Sequence, residues 1–130
     1  MKIIDVLNQE KAGISFEFFP AKTTKGLRSL EETVIKLSRY KPLYMSMTYG
    51  AGGSSQERTK DAVYMMKKQG NTIVMPHLTG IGATRAYVRS LLEEYKEHDI
   101  HDIMTLRGDI PKELSDFDPN QGEFRYGRDL

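Results

Sequence analysis

The chain has no cysteine, which excludes disulfides, thiolate metal sites and a thiol nucleophile. It also lacks a charge imbalance. Its 19 basic residues are scattered among 18 acidic ones for a formal net charge of +1, the pattern of solvated helix faces. Nucleic acid and membrane surfaces are therefore not expected partners. No stretch approaches transmembrane length, and residues 1–8 contain no long apolar run of the signal-peptide kind. These absences set the expectation of a cytoplasmic protein. No linker or low-complexity tract divides the 130 residues, which are enough for one domain with a real core.

What the chain does have is a repeat in which structure and chemistry recur together. Ser15-Phe16-Glu17-Phe18-Phe19-Pro20, Met47-Thr48-Tyr49-Gly50, Met75-Pro76-His77-Leu78 and Leu106-Arg107-Gly108-Asp109 recur roughly every 30 residues, the length of a β/α unit. Each closes a hydrophobic run of strand length on a polar or titratable group, and turn residues follow. Parallel-stranded α/β enzymes present their sites in this way, because the carboxyl ends of parallel strands open onto one face.

The segments between fit that architecture. A short amphipathic helix is expected over 2–11, ended by Gly13. A strand over 14–19 alternates Ile14, Phe16 and Phe18 with Ser15, Glu17 and Phe19. Leu27, Leu30, Val34 and Leu37 recur at helical spacing, and Pro42 ends that helix before a strand over 43–48. Ser54-Ser55-Gln56-Glu57 has the form of a capping box for a helix that buries Ala62, Val63 and Met66, with Gly70 at its C′ position. A third strand follows over 72–76. The next helix, over 84–98, turns Val88, Leu91, Leu92 and Tyr95 inward, and a fourth strand covers 102–106. The order βαβαβαβ predicts a parallel sheet with right-handed crossovers, curved like half a barrel with helices outside. A polar loop over 111–122 then leads to 123–130, which resembles the start of a fourth helix. Four β/α units are about half of an eight-stranded barrel of roughly 250 residues. Two sheet edges and an apolar face are left open, so a homo-oligomer, or association with a missing second half, is expected.

Several residues are candidates for chemistry. Glu17, set among Phe16, Phe18, Phe19 and Pro20, is expected where ionisation is disfavoured, which suits a general acid. The competing reading is a buried glutamate paired with a cation such as Arg107. Thr48 to Ser55 is a Gly-rich strand-to-helix turn that lacks both the P-loop and the dinucleotide fingerprints, so on spacing alone it is a tight turn. His77 is either a donor to a ligand or a satisfied structural histidine. His98 and His101 are read as surface residues. Arg107-Gly108-Asp109 brackets a residue without a side chain by opposite charges, for an anionic or heteroaromatic ligand or for a salt bridge. It closes an apolar strand, so display on an exposed loop tip is not expected.

Taken together, Ser15 to Pro20, Thr48-Tyr49-Gly50-Ala51-Gly52-Gly53-Ser54, His77-Leu78-Thr79 and Leu106-Arg107-Gly108-Asp109-Ile110-Pro111 resemble methylenetetrahydrofolate reductase. The resemblance runs from about residue 10 to the end of the chain. It implies the first four β/α units of a TIM-type (β/α)8 catalytic barrel across 1–130, truncated in the fourth helix. It further implies FAD at the carboxyl ends of the strands, NAD(P)H as electron donor, and a folate substrate reduced to 5-methyltetrahydrofolate in one-carbon metabolism and methionine biosynthesis. Glu17 matches the general acid that opens the imidazolidine ring to the 5-iminium cation. Asp109 matches the carboxylate near flavin and pterin. Thr48, His77, Arg107 and Gly108 match flavin-contacting positions, Thr48 also lying close to the nicotinamide. Tyr126 and Gly127 fall on a Tyr-Ala pair, a departure that the similar size of glycine and alanine makes mild. A pterin-binding barrel methyltransferase, or a non-catalytic half-barrel that self-associates, are the alternatives.

Overall fold

A computed structural model describes residues 1–10, 12–49, 53–110, 116 and 118–130, leaving aside the side chains of 53–55 and 119. Its elements follow the order α1 (Ile3–Gln9), β1 (Ser15–Phe18), α2 (Thr24–Ser38), β2 (Tyr44–Met47), α3 (Gly53–Gln69), β3 (Ile73–Thr79), α4 (Arg85–Glu97) and β4 (Met104–Leu106). Single 3₁₀ turns then occupy Pro119–Gln121 and Gly127–Asp129. All strand pairs are parallel, in the spatial order β1-β2-β3-β4. The order never reverses, so right-handed crossovers place α2, α3 and α4 on one face, as in a barrel and unlike a doubly wound sheet.

The register carries this through to side chains. Phe18 pairs with Met47 and Met47 with Pro76, while Glu17 pairs with Ser46 and Ser46 with Met75. Side chains alternate along a strand. Phe18, Met45, Met47, Val74 and Leu78 therefore turn to the helices, where they meet Val34 of α2, Ala62, Val63 and Met66 of α3, and Val88, Leu91 and Tyr95 of α4 in one buried cluster. Ser15, Glu17, Tyr44, Ser46, Met75, His77 and Thr79 share the opposite, open face.

Pairing with β2 spans Ile73 to Pro76, and pairing with β4 spans His77 to Thr79. This stagger is of the kind that closes barrels. Pro76 sits at the hand-over between the two neighbours, where a missing N–H is least disruptive.

The helix ends are set locally. Thr23 and Thr84 each accept an N–H of their own first turn, from Gly26 and Tyr87. Left-handed residues precede three strands: Lys41, Asn71 and Asp99. Asn71, not Gly70, thus takes the left-handed position after α3. Gly70 is needed for space instead, since a Cβ there would lie 2.7 Å from the Met66 carbonyl oxygen. Because α3 starts at Gly53, Ser54 lies inside the helix and does not cap it. Residues 50–52 of the Gly-rich turn fall outside the described residues, as do 111–115 and 117 of the polar loop. Helix α1 buries none of its residues and is tied to the amino end of β4, where the Ile3 amide donates to Asp102 Oδ1 at 3.1 Å.

The expected fourth helix start is absent over 123–130. Phe124 is buried, and the chain turns through one 3₁₀ turn in which Asp129 Oδ2 accepts the amides of Arg125 and Tyr126, each at 2.9 Å. These bonds hold the Asp129 carboxyl below its ordinary range. Gly80 donates to the Leu106 carbonyl, so the neighbouring Thr105 carbonyl points away from β3 toward the outer edge of β4. Gly127 rests on that carbonyl: a Cβ there would come within 2.7 Å of it. One of the two sheet edges expected to be open is therefore partly covered by the chain itself.

Candidate functional site

Three adjacent strands each place a polar residue between two apolar ones: Phe16-Glu17-Phe18, Met45-Ser46-Met47 and Pro76-His77-Leu78. Alternation sends the apolar pair to the helices and the central residue to the open face. The three polar residues meet there. Glu17 Oε2 lies 3.2 Å from His77 Nε2 and accepts a hydrogen bond from Ser46 Oγ at 3.4 Å. His77 and Ser46 are buried, whereas the Glu17 side chain is 51% exposed.

This corrects the environment expected of Glu17. Phe16 and Phe18 are its neighbours in sequence but lie across the sheet from its carboxylate, and Phe19 is 75% exposed. The apolar enclosure is not formed by these side chains. Nor is Arg107 the partner of Glu17; the contacts come from a histidine and a serine. Ser46 was not among the residues singled out from sequence, although its place between Met45 and Met47, in the pattern of Glu17 and His77, was a usable signal.

His77 Nε2 is unusual. It is fully buried and, among the described residues, makes no aligned hydrogen bond, the Glu17 oxygen standing at ion-pair distance but off the N–H direction. A buried polar atom in this condition is destabilising unless something outside the chain addresses it.

Thr48 follows β2, and its amide continues the ladder to Phe18 O at 2.9 Å. The next residue, Tyr49, is anchored on α4: its hydroxyl lies 3.0 Å from that of Tyr87. Burial, then the bond to Tyr87, pushes the Tyr49 hydroxyl well above its ordinary pKa, so Tyr49 stays neutral.

Arg107 and Asp109 are both exposed after β4, contrary to the expectation that this tripeptide is not displayed. Their backbone is nevertheless held, with Ile81 N donating to Arg107 O at 2.8 Å, and Arg107 Nε donates to Gly108 O at 3.3 Å. Among the described residues no ion pair joins Arg107 to Asp109. Gly108 has φ +83, and a Cβ there would lie 2.7 Å from that of Thr79, so the fold alone demands glycine.

Tyr126 is exposed beneath the Arg128 guanidinium, 5.0 Å from its ring centroid, and Gly127 lies on the edge of β4. The contact with the Thr105 carbonyl makes alanine at 127 a larger change than side-chain size suggests. Parallel register thus puts Glu17, Thr48, His77, Arg107 and Asp109 toward the carboxyl ends of their strands, and only Glu17 and His77 touch. A groove of about 360 Å³ between α4 and the C-terminal segment, lined by Val88, Leu92, Phe124 and Leu130, lies on the helix side and holds none of these residues.

His98 stacks on Tyr64, and His101 Nε2 lies 2.9 Å from Asp99 Oδ1, so both exposed histidines have protein partners. No group of three metal-ligating side chains occurs among the described residues. Among those residues, no helix is long and apolar enough to cross a membrane.

Comparison with known proteins places these observations. The methylenetetrahydrofolate reductase family matches residues 2–130. The chain is 37% identical over 105 residues to 5,10-methylenetetrahydrofolate reductase of Pectobacterium carotovorum, covering 81% of this chain and 35% of that protein. It is 34% identical over 134 residues to methylenetetrahydrofolate reductase 2 of Schizosaccharomyces pombe, covering 100% of this chain and 21% of that protein. It is 33% identical to methylenetetrahydrofolate reductase (NADH) 1 of Arabidopsis thaliana, again over 100% of this chain and 23% of the relative. The chain thus spans about a third or less of these relatives' lengths.

Proposed function

Because this chain belongs to the methylenetetrahydrofolate reductase family, we propose that the complete polypeptide carrying it reduces 5,10-methylenetetrahydrofolate to 5-methyltetrahydrofolate with NAD(P)H. The observation that carries the reading is the Glu17–Ser46–His77 group on the open face, at the carboxyl half of the strands. FAD, when bound, supplies the two-electron relay between nicotinamide and folate.

The residues present fit such a group. The buried Nε2 of His77 has no aligned partner among the described residues and is available to a polar ligand edge. Thr48, Arg107, Gly108, Tyr126 and Gly127 are the further residues that would hold it. The protein's own contribution to the chemistry is a proton and a field. Glu17, half exposed and open to the ligand side, is the acid that gives a proton to the ring nitrogen that leaves as the C–N bond of the imidazolidine breaks. The nitrogen takes the proton, the bonding pair stays with it, and the remaining C=N bears the positive charge. The carboxylate of Asp109 is suited to stabilise that cation.

Glu17→Gln in the complete polypeptide tests the assignment. The amide cannot give up the proton, so folate reduction falls by roughly 10²–10⁴-fold while reduction of the flavin by NAD(P)H stays nearly intact. Equal loss in the two half-reactions, followed separately by flavin absorbance, would make Glu17 a structural residue.

A further inference from the structure

Glu17 and His77 stand on strands that are not neighbours. With β2 between them, their backbones are about 10 Å apart at normal strand spacing, and the contact exists because the Glu17 side chain reaches across residue 46. Ser46 is the direct register partner of Glu17 and is only 3% exposed. Its small side chain leaves the path open, and its hydroxyl takes hold of the carboxylate that passes over it. Ser46 Oγ donates to Oε2, and His77 Nε2 stands 3.2 Å from the same oxygen without an aligned hydrogen bond. Oε1 has no partner among the described residues.

A half-exposed glutamate without such a tether samples several rotamers. A hydrogen bond to one oxygen from the neighbouring strand selects among them. We propose that Ser46 is a positioning residue for Glu17: it anchors Oε2 over β2, so that Oε1 is the oxygen that carries the proton to the substrate. This deepens, and rests on, the reading of Glu17 as the general acid. The proton passes from Oε1 to the leaving ring nitrogen, and Glu17 ends the step as a carboxylate. Its Oε2 already faces the Ser46 hydroxyl, a donor in place before charge develops, which favours the transition state without later reorganisation.

The test uses Ser46→Ala, Ser46→Thr and Ser46→Val in the complete polypeptide. Threonine and valine have nearly the same shape, so the pair separates the hydroxyl from bulk. Loss of a hydrogen bond to a charged group predicts about a tenfold fall in kcat for folate reduction in the alanine and valine variants. KM for the folate and the rate of flavin reduction by NAD(P)H should be unchanged, and the threonine variant, which keeps the hydroxyl but adds a methyl group at a buried position, should retain clearly more kcat than the valine variant. A second readout needs neither flavin nor folate. NMR of the labelled Glu17 γ-methylene should report one dominant rotamer in the wild type and the threonine variant, and averaging in the other two.

Equal behaviour of the threonine and valine variants in both measurements overturns the proposal. A wild type that reduces flavin but not folate overturns the functional reading alone, and the rotamer series then still decides for or against the tether.

Discussion

On the helix-covered face, β1, β2 and β3 bury Phe18, Met47 and Leu78 in a cluster shared with α2, α3 and α4. One residue earlier in each strand, the same backbone presents Glu17, Ser46 and His77 to the open face. The two faces differ in what they ask of a side chain. The covered face asks for volume and apolarity, and it tolerates three methionines in one cluster because methionine fills irregular space. The open face asks for particular atoms at particular distances; among the described residues it leaves the buried His77 nitrogen without an aligned partner, as the covered face leaves the Tyr95 hydroxyl. Strand alternation keeps the two demands apart, so stability and chemistry are carried by adjacent residues with little mutual interference.

That separation can be broken by experiment. Leu78 is completely buried, and Leu78→Ala removes packing that the surrounding strands and helices only partly recover. It should cost about 2–5 kcal/mol, read from the urea midpoint. Glu17→Gln on the other face should shift stability by no more than about 0.5 kcal/mol. A comparable loss from both would show that the open face is part of the load-carrying core after all.

Smaller in effect is Gly108→Ala. The residue has φ +83 and no room for a Cβ beside Thr79, so the substitution should destabilise by about 1–3 kcal/mol. It should do so in the chain free of ligand. An effect seen only on flavin binding would instead assign Gly108 to the ligand side of the comparison.

The smallest effect concerns the C-terminal turn. The amides of Tyr126 and Arg125 hold the Asp129 carboxyl below its ordinary value of 3.8. A carboxyl depressed in the folded state contributes stability that is present above its unfolded pKa. That contribution is lost as pH falls through the lower folded value. Hydrogen exchange at the Tyr126 amide should therefore become less protected on acidification below about pH 4, after correction for the intrinsic rate. Asp129→Asn should remove that pH dependence while leaving the amides of β2 and β3 unaffected.

Much of the scaffold was legible in the sequence. Val34, Ala62, Val63, Met66, Val88, Leu91 and Tyr95 all belong to the buried cluster, as their helical spacing indicated. Strands β1, β2 and β4 lie within the spans expected, and β3 runs three residues further, to Thr79. That extension was not legible because Pro76 reads as an end. It became an interior residue only because pairing passes from β2 to β4 at that point. The C-terminal segment departs from the helical expectation for a related reason. Helical promise in residues 123–130 lost to a carboxylate that captures two amides and to Phe124, which is drawn into the core.

For the site, sequence brought Glu17 and His77 toward one end of the sheet but not into direct contact. Two residues 60 positions apart on non-adjacent strands give no periodic signal, and their contact depends on a third residue being small enough to reach across. Sequence by itself determined the order of β/α units, the helix stripes and the polar residue within each strand, because these follow from local periodicity and turn chemistry. Tertiary structure decided that Glu17 stands half exposed rather than enclosed by phenylalanines. It also decided that Ser46 and His77 share one carboxylate oxygen, and that Gly127 abuts the edge of β4. These outcomes depend on register between strands and on the approach of distant segments, which no local pattern encodes.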